Sequence, residues 1–176
     1  MWPRRGKRED QGAGAPTDVY VGLRSQLLTL DPASVGLQPS SELPTVWGAL
    51  MEMGYPEGTA TIVALADGTT SMYTSTGGGV IGGGQHEAVA AASRRFLAEA
   101  ERTDAPLEPA PSADVGVPPS GVVSFVVLAY SGTRTGAVDE DEVASMGHPL
   151  SRLYAAGQDV ITALREAETS AARKEG

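Results

Sequence analysis

A run of glycines between Gly77 and Gly84 is the part of this sequence that most closely matches a ligand-binding motif. Gly77, Gly79 and Gly82 have the G-x-G-x-x-G spacing of a dinucleotide site, and the run follows a predicted strand and precedes a predicted helix. A dinucleotide site also needs a parallel crossover to a second strand that ends in an acidic residue about 20 positions on. Here the preceding strand belongs to a predicted hairpin, so dinucleotide binding is not expected.

The same loop offers a second chemistry, because glycines before a helix expose backbone amides at its positively polarised end. The residues that would contact a phosphate or carboxylate there are Thr76, Gly77, Gly78, Gly79, Gly82 and His86. Against this site, the loop contains no Lys or Arg, and Glu87 lies in the first predicted turn of the helix. A flexible hinge explains the glycines more simply, and we favour that interpretation.

The remaining reactive residue types do not form a recognisable catalytic set. His86 and His148 are the two histidines, and each precedes a predicted helix, where a capping or exposed role is expected. The run from Asp139 to Glu142 lacks the spacing of a calcium loop and is predicted to be a solvated acidic loop. The chain has no cysteine, and no serine follows the nucleophile-elbow pattern. The sequence therefore predicts neither a metal nor a cofactor and identifies no catalytic residue.

Charge is distributed unevenly in this chain, whose formal net charge is -9. Residues 1–16 are predicted to be a disordered tail with the cations Arg4, Arg5, Lys7 and Arg8, whereas the rest is acidic and should repel nucleic acid. The tail has the charge to contact an anionic surface, but a solvated leader is the simpler expectation. The lack of cysteine and of any apolar run of about 18 residues predicts a cytoplasmic protein without membrane insertion. The preference for Arg over Lys suggests a bacterial origin.

Helical and strand patterns alternate along residues 17–168, which we expect to form one domain. Apolar residues at helical spacing predict helices over residues 18–30, 41–54, 85–102 and 148–167. Strands are predicted over residues 59–66, 69–76, 122–130 and 134–138, with the first two joined by the turn Asp67-Gly68. The proline-rich segment 103–120 should be an extended loop, and residues 169–176 a frayed polar end.

This order predicts an α/β protein of the α+β type, with helices packed on a mainly antiparallel or mixed sheet of four to five strands. In the last helix, Gly157 lies on the same apolar stripe as Tyr154 and Val160. A small residue in that position is expected to let the helix approach the sheet closely.

The order helix, hairpin, helix, strand pair, helix over residues 41–167 resembles that of roadblock-type and profilin-like small domains. The resemblance implies a non-enzymatic regulatory or scaffold protein that pairs through helix or sheet-edge surfaces, either as a homodimer or with another protein. The alternative is a small-ligand or anion-binding protein, or an enzyme, that uses the glycine-rich loop 77–84.

Overall fold

The computed structural model describes residues 16–80, 82–103, 105–111 and 115–175. The predicted basic tail, except for Pro16, lies outside these residues. The helices are α1 (Asp18–Leu28), α2 (Glu87–Arg102), α3 (Glu140–Ala144) and α4 (Ser151–Lys174). The strands are β1 (Val46–Tyr55), β2 (Gly58–Leu65), β3 (Thr70–Thr74), β4 (Gly79–Val80), β5 (Glu108–Pro109), β6 (Val122–Ala129) and β7 (Gly132–Asp139).

The strands form one antiparallel sheet in the order β4-β3-β2-β1-β6-β7-β5. The central strand β1 pairs with β2 through a tight hairpin in which Tyr55 opposes Gly58, and Met51 on β1 opposes Phe125 on β6. The predicted α+β class and the predicted β2–β3 hairpin are confirmed. The prediction of four to five strands is too low. Besides β1, the glycine-rich and proline-rich segments each add a strand of two residues, β4 and β5.

The predicted helix over residues 41–54 is wrong, because residues 46–55 form β1. This strand is buried on both faces, so apolar residues occupy most of its positions and include a subset at helical spacing. Gly54 does not end a helix. A Cβ there would lie 1.9 Å from the carbonyl oxygen of Pro119, so glycine allows the proline-rich segment to cross the strand.

Side chains on the two faces of the sheet build two apolar layers. The layer between the sheet and helices α2 and α4 contains Met51, Met53, Ile62, Phe96 and Phe125 among its largest members. The layer between the sheet and α1 contains Tyr20, Trp47, Leu50, Tyr73 and Leu128. The sheet is therefore covered on both sides, and β6 is buried along nearly its whole length, which confirms the prediction of a central strand.

Helices α2 and α4 lie side by side on one face of the sheet. The predicted inward side of α2 is confirmed, since Val89, Ala92, Phe96, Leu97 and Ala100 are buried. The predicted close approach of α4 is also confirmed, because a Cβ at Gly157 would lie 2.6 Å from Met51 Sδ. None of the described helices combines the length and the apolar sequence needed to span a membrane.

The acidic segment before α4 is helical, so its prediction as a loop is wrong. Residues from Glu140 onwards form α3, which buries Val143. The hydroxyl of Ser151 donates to the carbonyl of Val143 at 2.8 Å and joins the start of α4 to this short helix. Helix α4 begins at Ser151 and continues to Lys174, beyond the predicted boundary, with its last residues exposed.

The proline-rich segment packs on the protein instead of forming the predicted uncollapsed loop. Leu107 and Val115 are buried, and β5 within it pairs with β7. At the opposite edge, β4 pairs with Met72 and Tyr73 of β3. Both edges of the sheet are therefore capped by two-residue strands of a kind that disfavours pairing with another chain.

Candidate functional site

The structure divides the glycine-rich segment between different surroundings. Gly77 and Gly78 have left-handed backbone conformations, and Gly79 pairs with Tyr73. These three glycines face α1 across an apolar cavity of about 340 Å³ whose other walls are Thr17, Val19, Tyr20, Leu23, Tyr73 and Thr74. Thr76 lines a different cavity, and neither cavity is lined by Gly82 or His86. The six predicted ligand-binding residues therefore do not line one cavity together.

Close packing explains two of these glycines better than the predicted hinge does. A Cβ at Gly79 would lie 2.2 Å from the carbonyl oxygen of Met72. A Cβ at Gly83 would lie 2.3 Å from Cδ2 of Leu164 on α4. At Gly79 the close neighbour is backbone and cannot give way, whereas at Gly83 it is the end of the buried Leu164 side chain.

The amino terminus of α2 carries little positive character beyond its own amides. His86 is the cap residue, and its side chain makes no capping hydrogen bond. Its amide donates to the carbonyl of Gly83 at 3.2 Å and closes a short 3-10 turn. Glu87 lies in the first turn, where its carboxylate would oppose a bound anion.

A second cavity of about 340 Å³ lies where the β1–β2 hairpin meets α4, and we call it the hairpin cavity. It includes Thr76 from the glycine-rich segment. Its charged and hydrogen-bonding side chains include Tyr55, Glu57, Glu140, Tyr154, Gln158 and Arg165. Its apolar wall includes Met53, Met72 and Ile161. The cavity thus combines both signs of charge with an apolar surface.

Hydrogen bonding in the hairpin cavity is incomplete within the described residues. The Tyr154 hydroxyl donates to Oε1 of Glu140 at 3.1 Å. The Tyr55 hydroxyl and the Gln158 amide both point to the sulfur of Met53, at 3.6 and 3.5 Å. Because a thioether sulfur is a weak acceptor, the Tyr55 hydroxyl has only a poor partner, whereas Gln158 also forms a hydrogen bond with Tyr154.

The pKa values of the two tyrosines in the hairpin cavity are raised, and the causes show which charges lie near them. Burial, together with the hydrogen bond and charge of Glu140, raises the pKa of Tyr154 to about 12. Burial and the charge of Glu140 also raise the pKa of Tyr55, whereas the charge of Arg165 opposes this shift. The Glu140 carboxylate and the Arg165 guanidinium therefore both lie within electrostatic range of the Tyr55 hydroxyl.

The outer surface of α2 and α4 holds a broad groove of about 990 Å³, which we call the arginine groove. Its cations are Arg94, Arg95, Arg102 and Arg152, and its acids are Glu42, Glu99 and Asp159. Between the charges lie the small side chains of Ala91, Ala98 and Ala155. The rim includes Met146, whose side chain is 88% exposed.

The ion pairs of the arginine groove use only part of its positive charge. The Arg152 guanidinium lies 3.1 Å from Glu99, and the Arg102 guanidinium lies 3.7 Å from the same carboxylate. Arg94 and Arg95 are exposed and have no ion-pair partner among the described residues. Four guanidiniums against three carboxylates give the groove a small positive charge on a chain whose net charge is -9.

Beneath α1, a buried ion pair connects this helix to the sheet. Arg24 Nε and Nη2 donate to the two carboxylate oxygens of Glu52 at 2.7 and 2.9 Å, and the Glu52 side chain is fully buried. Arg24 also donates to the carbonyls of Val115 and Gly116 at 2.8 and 3.1 Å. Burial alone would lower the pKa of Arg24, but the hydrogen bonds and charge of Glu52 outweigh it and raise that pKa. This arrangement fastens α1 and the proline-rich segment to β1.

The histidines and acidic residues form no metal site in the part of the chain that the structure describes. Nδ1 of His148 accepts a hydrogen bond from the amide of Leu150 at 3.1 Å, but Leu150 is the cap residue of α4 and no side chain caps that helix, so the expected capping role of His148 is not found. Its Nε2 lies 3.9 Å from a carboxylate oxygen of Glu142. One carboxylate beside one imidazole is too few ligands for a structural metal.

Sequence reasoning missed both the arginine groove and the hairpin cavity. The groove had a detectable signal, because Ala91, Arg95, Ala98 and Arg102 follow helical spacing on the outer side of α2. The hairpin cavity had none, because its residues come from strands and helices far apart in the chain. Comparison with known proteins adds no assignment: no family model, curated protein or solved structure matches this chain.

Proposed function

We propose that this chain is a non-enzymatic regulatory or scaffold protein that binds a partner protein through the arginine groove. The observation that carries the proposal is the pair of exposed, unpaired guanidiniums of Arg94 and Arg95 beside small alanine side chains. Arginine is enriched at protein interfaces because its planar group forms paired hydrogen bonds with carboxylates. Alanines between the charges allow another backbone to approach closely.

The helix surface supports pairing better than the sheet edges do. Both edges end in two-residue strands, β4 and β5, so few backbone groups are free for another chain. The groove instead extends across α2 and α4, which pack against each other.

The partner that fits this groove is an acidic helical segment. Carboxylates three or four residues apart on such a helix would match the positive charges, and its apolar side would meet the alanines and Met146. The partner is either a second copy of the chain or another protein in a bacterial cytoplasm. Nucleic acid is a weaker match, because Glu42, Glu99 and Asp159 interrupt the positive charge.

The anion-binding loop has less support than the groove. Gly79 and Gly83 pack closely against other parts of the chain. The carboxylate of Glu87, in the first turn of α2, would oppose a bound anion. The described residues of the loop also include no cation to hold a phosphate.

The groove is tested with the double charge reversal Arg94→Glu/Arg95→Glu. The matched control is Arg173→Glu/Lys174→Glu, which makes the same change in charge at the exposed end of α4. The mass of each protein in solution is measured by light scattering, and a partner purified with the wild type is titrated against all three proteins at several salt concentrations.

We expect the groove variant to lose about 5 to 30-fold in affinity for its partner or for itself, corresponding to about 1–2 kcal/mol. The control should behave as the wild type, and added salt should weaken the wild-type complex. Equal affinity of the two variants, or a wild-type chain that is monomeric and has no partner, would contradict the proposal. Binding to DNA or RNA in place of a protein would contradict it as well.

A further inference from the structure

The hairpin cavity holds donors that its own residues do not satisfy. The Tyr55 hydroxyl has the sulfur of Met53 as its described acceptor, and the Gln158 amide, which also hydrogen-bonds with Tyr154, approaches the same sulfur. The Arg165 guanidinium is exposed and has no ion-pair partner among the described residues. These three groups line the same cavity, and a carboxylate forms its strongest hydrogen bonds with charged and hydroxyl donors.

The same cavity holds acceptors in excess. Glu140 is half-buried, and Tyr154 is the one hydrogen-bond donor to its carboxylate among the described residues. A carboxylate has about four acceptor sites, so most of its capacity is unused. Glu57 adds a second, exposed carboxylate to the lining. Such an arrangement suits an ammonium group.

Size and apolar lining restrict the ligand further. The volume of about 340 Å³ lies at the lower end of the range of about 300–1,000 Å³ that is typical of small-molecule sites. Met53 and Met72 contribute flexible, polarisable side chains that adapt to apolar groups of different shape, and Ile161 adds a branched one.

We infer that the hairpin cavity binds a free α-amino acid with an apolar side chain. Arg165, Tyr55 and Gln158 hold the carboxylate, Glu140 holds the ammonium group, and Met53, Met72 and Ile161 contact the side chain. Tyr154 positions Glu140 through its hydrogen bond. The inference is independent of the arginine groove, which lies on the outer side of α4, so failure of either proposal leaves the other standing.

The binding test uses the full chain and three probes of nearly the same shape: L-leucine, 4-methylpentanoate, which lacks the ammonium group, and isoamylamine, which lacks the carboxylate. Affinities are measured by isothermal titration calorimetry. The location is read from the NMR signals of methionine methyl groups labelled with carbon-13. Met53 and Met72 line the cavity, whereas Met146 lies on the arginine groove and serves as the internal control.

We expect L-leucine to bind at least about tenfold more tightly than either analogue, because each analogue leaves one charged group of the cavity unpaired. Glycine should bind more weakly than leucine, since it has no side chain for the apolar wall. The methyl signals of Met53 and Met72 should shift on titration, and that of Met146 should not.

Two variants test which cavity residue binds the ammonium group of the ligand and which binds its carboxylate. Glu140→Gln should weaken L-leucine by about tenfold or more and leave 4-methylpentanoate unchanged. Arg165→Gln should weaken L-leucine to a similar degree and leave isoamylamine unchanged. Arg173→Gln, on the exposed end of the same helix, is the control and should bind all probes as the wild type does.

Three results would overturn the inference. The first is the absence of any shift at Met53 and Met72 with about 10 mM L-leucine, a concentration that would reveal even millimolar affinity. The second is an analogue that binds as tightly as leucine, which would show that the cavity recognises one charge instead of a zwitterion. The third is equal affinity of Glu140→Gln, Arg165→Gln and the wild type for leucine.

Discussion

Replacing Arg24 with Met is the most informative perturbation of the fold, because it removes one half of a buried ion pair. Glu52 is fully buried in the wild type, and its carboxylate accepts two hydrogen bonds from Arg24 at 2.7 and 2.9 Å. In Arg24→Met, the Glu52 carboxylate would keep one hydrogen-bond donor among the described residues, the hydroxyl of Thr61 at 3.1 Å. The carbonyls of Val115 and Gly116 also lose the donor that holds the proline-rich segment.

The expected loss is large for a protein of this size. Breaking a buried ion pair on one side typically costs about 3–5 kcal/mol, because a desolvated charge remains without its partner. A native domain has about 5–15 kcal/mol of total stability, so this single change removes a substantial part of it. The reciprocal variant Glu52→Met should be damaging for the same reason, since it leaves the mostly buried guanidinium of Arg24 without its carboxylate.

A double-mutant cycle separates the pair from its surroundings. The free energy of unfolding is measured by urea denaturation for the wild type, Arg24→Met, Glu52→Met and the double variant, with the fluorescence of buried Trp47 as the probe. We expect the double variant to be more stable than either single variant, because two apolar side chains replace two charges and neither is left unpaired. Losses below about 1 kcal/mol in both single variants, or strictly additive losses, would refute this account of how α1 is held.

Two further predictions concern glycine packing and alkaline stability. Gly83→Ala should unfold at lower urea concentration than Gly82→Ala, because the added Cβ at position 83 meets the Leu164 side chain at 2.3 Å. Position 82 opens to free space, so alanine there costs only about 1 kcal/mol for its φ of +77°. Equal urea midpoints of the two variants would refute the packing argument. Burial and the charge of Glu52 raise the pKa of Tyr73 above 10.0, so folding favours the neutral form of this tyrosine. The stability that this preference contributes is complete below about pH 10 and is lost as the pH rises above that value. Tyr73→Phe should unfold less readily than the wild type above about pH 10. It should lose no stability at neutral pH, since the Tyr73 hydroxyl has no hydrogen-bond partner among the described residues. Urea denaturation over this pH range checks both points.

The comparison of α2 with β1 shows where sequence patterns succeed and fail. In α2, buried residues recur at helical spacing on one side, so periodicity identifies both the helix and its inward face. In β1, both faces are buried, and the alternation that marks a strand disappears. Gly48 and Gly54 were the available signs against a helix, because glycine lowers helix stability by about 1 kcal/mol each.

Local signals in the sequence are sufficient to predict the turn at Asp67-Gly68, the apolar stripe of α2 and the position of Gly157 on α4. Turn chemistry and residue spacing act within a few positions of the chain, so they can be read without knowing the neighbours. The central place of β1 in the sheet and the contact of Arg24 with Glu52, 28 residues away in sequence, instead depend on packing between distant parts of the chain. The hairpin cavity is of the same kind, because its charges and apolar wall come together only when β1, β2 and α4 pack.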